Sequence, residues 1–276
     1  MRELGFRKHA VVLYAVVILV GMVSAARADT AFTINNTGAP GGAFGTDPNW
    51  NYYSTTTDPS VNPGLLPTGT NWSPAYVVDS SAWPLGTGPW TQNTGSGSGR
   101  GNWIGPTPAY MSFGGKWYLT AAPSTYFVYQ TSFYIPTDAD LSRVLISGIV
   151  ASDNCDTTVG INGTGLGGSV IAMTNSCTTN GNSYSTGHTF EIGGMNAKFG
   201  VAGYEAYYSS FQPGWNTIQF VVFNDATSAS PNPTGLVVWD LLGTVPEVPE
   251  PATAGLMVAG IAAACWLRRR RSPRSV

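Results

Sequence analysis

The sequence predicts an all-β fold, an antiparallel β-sandwich, and three observations carry that prediction. Runs rich in β-branched and aromatic residues recur through the second half of the chain, each bounded by Gly, Pro, Asn or Asp. No segment between Asp29 and Thr244 shows apolar residues recurring at helical spacing with caps. Aromatic residues reach 12% while charged residues make up only 10%. Disordered chains are poor in aromatics, so this balance belongs to a folded domain.

The elements follow in chain order. Arg2, Arg7 and Lys8 precede an apolar run from Ala10 to Val23, and Ala26-Arg27-Ala28 follows it. A basic start, an apolar centre and an A-x-A site make residues 1–28 a signal peptide, cleaved between Ala28 and Asp29. The mature chain is therefore expected outside the cytoplasm. Residues 29–123 form a loop-rich part, dense in turn formers such as "NTGAPGGAFGTDPNW" and "TQNTGSGSGRGNW". A structureless stretch of that length is foreign to a compact domain. Short strands, such as one over Ala75–Val78, and loops pinned by Trp50, Trp72, Trp83, Trp90 and Trp103 are expected there.

Residues 124–243 carry the core strands of the same domain, 29–243. Phe127 to Ile135 is aromatic and β-branched, and Pro136 ends it. Leu141 to Ala151 is apolar on both faces, as in a central strand covered twice. Thr157 to Ile161 leads into Asn162-Gly163, a pair favoured in two-residue hairpin turns. Thr217–Phe223 and Gly235–Leu242 complete the set. Residues 244–251 read as a Pro-rich linker. Ala252 to Leu267 holds 16 residues without a charge, about 24 Å as a helix. Such a helix is a short transmembrane segment. Arg268, Arg269, Arg270 and Arg271 act as a stop-transfer cluster, held with the tail 272–276 in the cytoplasm by the positive-inside rule.

Charge narrows the partners. The formal net charge is −2, but most cations lie in the terminal segments. Residues 29–247 keep only Arg100, Lys116, Arg143 and Lys198 against 13 carboxylates, a net charge of −9. An acidic surface repels phosphate backbones, so no nucleic-acid partner is expected. Of three cysteines, Cys265 falls in the apolar run. Cys155 and Cys177 lie in the exported part, where oxidation is permitted, and form the candidate disulfide.

Catalytic chemistry finds little material. The exported part has one histidine, His188 in "SYSTGHTFEIGG", which is too little for a triad. Cys and His ligands at zinc spacing are missing from the sequence. Asp138 with Asp140 follows a strand-ending proline and reads as turn chemistry. Asp153 with Asp156, in "SDNCDTT", reads as bonding within a loop. Oxygen ligands for a structural calcium, or a hydrolase pair, are its functional alternatives. Gly163 to Gly168 matches G-x-G-x-x-G but lacks the following helix, so a nucleotide site is not expected. No catalytic residue, metal or cofactor is assigned.

The tryptophans are the better functional material. Indoles stack on the C–H faces of sugar rings, while Asp and Asn bond the hydroxyls; buried in a core, the same indoles cover 150–250 Å² each. Trp50, Trp83, Trp90 and Trp103, in loop-rich sequence, are the candidate sugar-binding residues, with Asp153 and Asn154.

Two resemblances add to this reading. Pro249-Glu250-Pro251, the apolar run and the arginine cluster together resemble the PEP-CTERM sorting signal of Gram-negative bacteria, over residues 248–271. The resemblance implies recognition by an exosortase, a membrane protease, with cleavage near Pro249-Glu250-Pro251. It also implies transient anchoring in the inner membrane, release to the cell surface or extracellular matrix, and a source that makes exopolysaccharide. Further upstream, "Phe133-Tyr-Ile-Pro…Ser152-Asp-Asn…Val159-Gly-Ile-Asn-Gly" and "Pro213-Gly-Trp-Asn-Thr-Ile-Gln-Phe" resemble the galactose-binding-like jelly roll. Together they lead to the expectation of a non-catalytic, carbohydrate-binding protein of the extracellular polysaccharide matrix. A structural matrix or floc protein without a sugar site, and a glycan hydrolase, are the alternatives.

Overall fold

The computed structural model describes residues 29–38, 45–59, 71–79, 85, 88–91, 101–107, 110–113, 116–119, 122–165, 184–200, 204–207, 210–225, 232–246 and 261. Thr30–Val245 forms one unit. Within it, fourteen strands and a single 3-10 turn are described. The expected signal peptide lies outside the described residues, as does the expected span 252–267 apart from Ile261. Among the described residues no helix is long and apolar enough to cross a membrane.

In chain order the strands are β1 (Asp29–Thr33), β2 (Thr46–Thr55), β3 (Ser73–Val77), β4 (Ile104–Gly105), β5 (Tyr110–Phe113), β6 (Lys116–Leu119) and β7 (Thr125–Ile135). After the turn Leu141–Arg143 come β8 (Leu145–Asp153), β9 (Cys155–Ile161), β10 (Thr164–Gly165), β11 (His188–Gly193), β12 (Tyr204–Tyr207), β13 (Gly214–Asn224) and β14 (Gly235–Pro246). Twelve strands form one sheet in the order β10-β9-β13-β7-β2-β3-β4-β14-β8-β11-β12, with β1 beside β14. All pairings of known register are antiparallel except β11 with β12. β5 and β6 pair separately.

The sheet curls upon itself. Phe190 on β11 meets Phe220 on β13 edge to face at 5.6 Å, although six strands separate β11 from β13 in the order. Alternation decides which side chains meet inside. Phe127, Phe133 and Ile135 on β7, and Ile218, Phe220 and Val222 on β13, point inward and are buried. Facing them are Ile146, Val150, Leu236 and Val238 from β8 and β14. Each such side chain contributes roughly 1.5–3 kcal/mol. The expected strand over Leu141–Ala151 begins later, because Leu141–Arg143 is the 3-10 turn. β8 is covered on its outer face only near its end, where Ala151 joins a second cluster with Trp90 and Trp103, while Leu145, Ser147 and Ile149 are half-buried.

Two boundaries differ from the sequence reading. The sheet does not divide between a loop-rich part and core strands, because β2, β3 and β4 lie between β7 and β14. The linker is also shorter. β14 continues to Pro246, Thr244 pairs with Leu145, and Val245 is buried. Asn162-Gly163 does form the tight turn, with φ of 54° and 77°, between paired β9 and β10.

Candidate functional site

Three of the four indoles nominated from loop sequence, Trp50, Trp90 and Trp103, are not on the surface. Trp50, Trp90 and Trp103 are 0%, 2% and 1% exposed, so none offers a face to a sugar ring. The physical reason is that each N–H finds a partner inside. Trp50 Nε1 donates to the carbonyls of Asn35 and Asn36 at 3.0 and 3.1 Å. Trp103 Nε1 donates to the Thr91 carbonyl at 3.0 Å. Trp90 stacks on Trp103 with ring centroids 4.0 Å apart and donates to Asp153 Oδ2 at 2.6 Å. These rings pin loops to the sheet, the structural role also anticipated for them. Trp83 lies outside the described residues.

Asp153 and Asn154 are likewise occupied. Asp153 is 4% exposed, and Thr234 Oγ1 donates to its carbonyl at 2.6 Å. Burial pushes its carboxyl up to about 7; the Trp90 bond opposes that rise, and the charge of Asp225 adds to it. Half-buried Asn154 accepts the Asp225 amide on Oδ1 at 2.9 Å. The pair closes one end of the sheet and presents no carboxylate to a ligand. Asp140 is turn chemistry as read, since its Oδ1 accepts Ser142 N and Oγ at 3.1 and 2.7 Å. His188 is half-buried, and desolvation lowers its pKa. The Asp156 side chain and Cys177 lie outside the described residues, and so does the Cys155–Cys177 bond. Among the described residues, no three His, Cys, Asp or Glu side chains gather as a metal site.

The surface with binding character is the outer face of β7 and β13. Their register sets Tyr126 opposite Phe223, Val128 opposite Val221, Gln130 opposite Gln219, Ser132 opposite Thr217 and Tyr134 opposite Trp215. This parity is the one the core does not use. From Tyr126 to Tyr134 the stripe runs about 27 Å at ~3.4 Å per residue. β2 widens it, placing Tyr53 beside Val128 and Asn51 beside Gln130.

Aromatic rings frame the stripe and amides fill its middle. Tyr126 and Phe223 pack with centroids 4.6 Å apart, and Tyr53 packs on Trp72 at 6.1 Å. All four rings are half-buried, so each keeps part of its surface in water. Burial raises the pKa of the Tyr126 hydroxyl, and adjacent Asp58 raises it further. Gln219 Nε2 donates to Gln130 Oε1 at 3.1 Å, which orients the half-buried Gln130 amide beside Asn51. Loop-based reasoning missed these residues. The alternation within "TYFVYQTSFYI" and "GWNTIQFVVFN" carried the signal, since each strand has one apolar face and one mixed aromatic and polar face.

The family profile described as the PEP-CTERM protein-sorting motif matches residues 247–271. No curated protein and no solved structure matches the chain. The matched segment contains Pro249, Glu250, Pro251, the apolar run and Arg268 to Arg271, and it begins at the residue after β14 ends. The chain thus carries a PEP-CTERM sorting motif, with the export, exosortase processing, transient C-terminal anchoring and surface destination that this motif implies.

Proposed function

We propose that Thr30–Val245 is a non-catalytic, carbohydrate-binding module of the extracellular polysaccharide matrix, holding a neutral glycan along the outer face of β7, β13 and β2. One observation carries the reading: half-exposed Tyr53, Trp72, Tyr126 and Phe223 frame an amide row made by Asn51 and Gln130. Rings supply stacking area for C–H faces, and amides supply both donors and acceptors for hydroxyls. The net charge of −9 over residues 29–247 disfavours anionic polymers at low salt. The curled antiparallel sheet, with its Ser152-Asp-Asn and Val159-Gly-Ile-Asn-Gly segments, supports a galactose-binding-like jelly roll. A surface-sorted protein meets such polymers at its destination.

Millimolar to micromolar binding amounts to about 4–8 kcal/mol, within reach of stacked rings and a few hydrogen bonds. The test is retention of the full chain, in detergent, on immobilised neutral polysaccharides. Trp72→Ala and Gln130→Ala should each weaken retention several-fold while the β-sheet circular dichroism persists. Retention on no neutral polysaccharide would leave the structural matrix reading. Release of reducing sugar would instead establish a hydrolase.

A further inference from the structure

The two ends of the sheet differ in what they expose. β7 ends at Ile135 and β8 begins at Leu145, so the short connection places both at one end. Pairing adds the start of β13, through Gly214 opposite Ile135. It also adds the ends of β11 and β14, through Gly193 and Thr244 opposite Leu145. β1 reaches the same end, where Phe32 stacks on Phe133 at 5.6 Å.

The exposed large hydrophobic residues among the described residues are Trp215 at 67%, Met195 at 65%, Leu242 at 47% and Tyr134 at 45%. All four lie at this end. Trp215 and Tyr134 form an edge-to-face pair at 5.6 Å. Met195 lies just past Gly194, whose amide donates to the Val144 carbonyl at 2.8 Å. Leu242 sits opposite Ser147, near the start of β8. At the opposite end, marked by Asp153 and Gly235, Trp90 and Trp103 are buried.

This apolar end is also where β14 hands the chain to the sorting motif. Between Pro246 and Ala252 lie only residues 247–251, a fully extended reach of about 20 Å. Pro249 and Pro251 favour an extended path. While the tail is uncut, Trp215, Tyr134, Met195 and Leu242 stay within a short tether of the bilayer. Tethering converts docking into an intramolecular event, so a weak intrinsic affinity is enough. Trp and Tyr are the residues enriched at the headgroup level, where an amphipathic ring is half apolar and half wet. Asp138 and Asp140, in the connection from β7 to β8, share this end with Arg143 and Lys198, a mixture that suits zwitterionic headgroups.

We propose that this end of the folded unit seats on the lipid surface before the sorting cut, with Trp215 and Tyr134 at the headgroup level and Met195 and Leu242 beside them. The inference rests on the sorting motif, and its seat takes the Tyr134–Trp215 end of the β7 and β13 outer face, apart from the ring frame and amide row that carry the glycan reading. Cutting the tail removes the tether and releases the seat.

The test uses the full chain carrying Trp266→Phe, which silences the indole in the apolar run, reconstituted in phosphatidylcholine vesicles. Lipids brominated near the headgroup should quench part of the tryptophan emission, and Trp215→Phe should abolish that part. The double variant Met195→Glu with Leu242→Glu keeps Trp215 as reporter, and quenching should drop at least two-fold. Quenching that is equal with and without Trp215, or absent from both, overturns the proposal. So does quenching unchanged by the two glutamates. Glycan retention should survive Met195→Glu with Leu242→Glu, which touch neither the ring frame nor the amide row, so the two readings fail separately.

Discussion

Asp153 should make this fold less stable as the pH rises from acid to neutral. Asp153 is 4% exposed, and its Oδ1 has no hydrogen-bond partner among the described residues. Desolvation therefore favours the neutral acid and raises the pKa from 3.8 to about 7. Between those values the folded state holds a proton that the unfolded chain has released. Stability then falls by about 1.4 kcal/mol per pH unit, ~4 kcal/mol across the window, and levels off above it. Asp153→Asn removes the ionisation while its amide oxygen still accepts from Trp90. Urea unfolding of parent and variant at pH 4, 5.5, 7 and 8 measures the difference, in which the slopes of other carboxylates cancel. The variant should match or trail the parent at pH 4, because a buried amide donor replaces Oδ1, and should gain on it steadily up to pH 7. Trp90→Phe keeps an aromatic ring but removes the N–H that stabilises the anion, so it should extend the falling window to higher pH. Parallel pH curves for parent and Asp153→Asn would refute the reasoning.

Two further outcomes are expected. Gly243→Val should lower the unfolding midpoint, because a Cβ at Gly243 would overlap the ring of Phe32. The cost is about 1–3 kcal/mol for overpacking, and an unchanged midpoint in thermal circular dichroism would contradict it. Non-reducing peptide mapping of the exported protein should recover Cys155 joined to Cys177. Full alkylation of both thiols without reductant would rule that bond out.

The fold class was legible because four of the runs recognised as strands, in β7, β8, β13 and β14, carry their own periodicity. β2 was not legible. Its sequence opens with Thr46-Asp-Pro-Asn, which reads locally as a turn. Its strand character comes from tertiary pairing with β7, from Trp50 opposite Thr131 to Thr55 opposite Tyr126. Asp47 is buried at 3% and accepts the Gly38 and Asn49 amides at 2.6 and 2.8 Å. A turn-forming carboxylate has been recruited to anchor an incoming loop. The linker failed for a similar reason, since nothing local distinguishes Thr244-Val-Pro from a spacer until Val245 meets the core.

Which tryptophans face water was the least legible property, because loop sequence is a poor guide to exposure. A loop indole can be buried whole when its N–H reaches a carbonyl or a carboxylate, as Trp103 and Trp90 do. The loop then gains a large apolar anchor and loses no hydrogen bond. A strand tryptophan has no such choice, because parity alone sets its side. Trp215 occupies the parity of Gln219 and Phe223, opposite to that of Ile218 and Phe220. It also lies at the start of its strand, beyond the rings that cover Val221. Parity turns it outward and position leaves it uncovered, so among the described indoles the exposed one lies in a strand. The same two factors separate the surfaces assigned here. Mid-strand, outward residues are partly sheltered by Tyr53, Trp72 and Tyr126 and suit a glycan laid across them. Strand-end, outward residues stand clear of cover and suit a surface broader than the module itself.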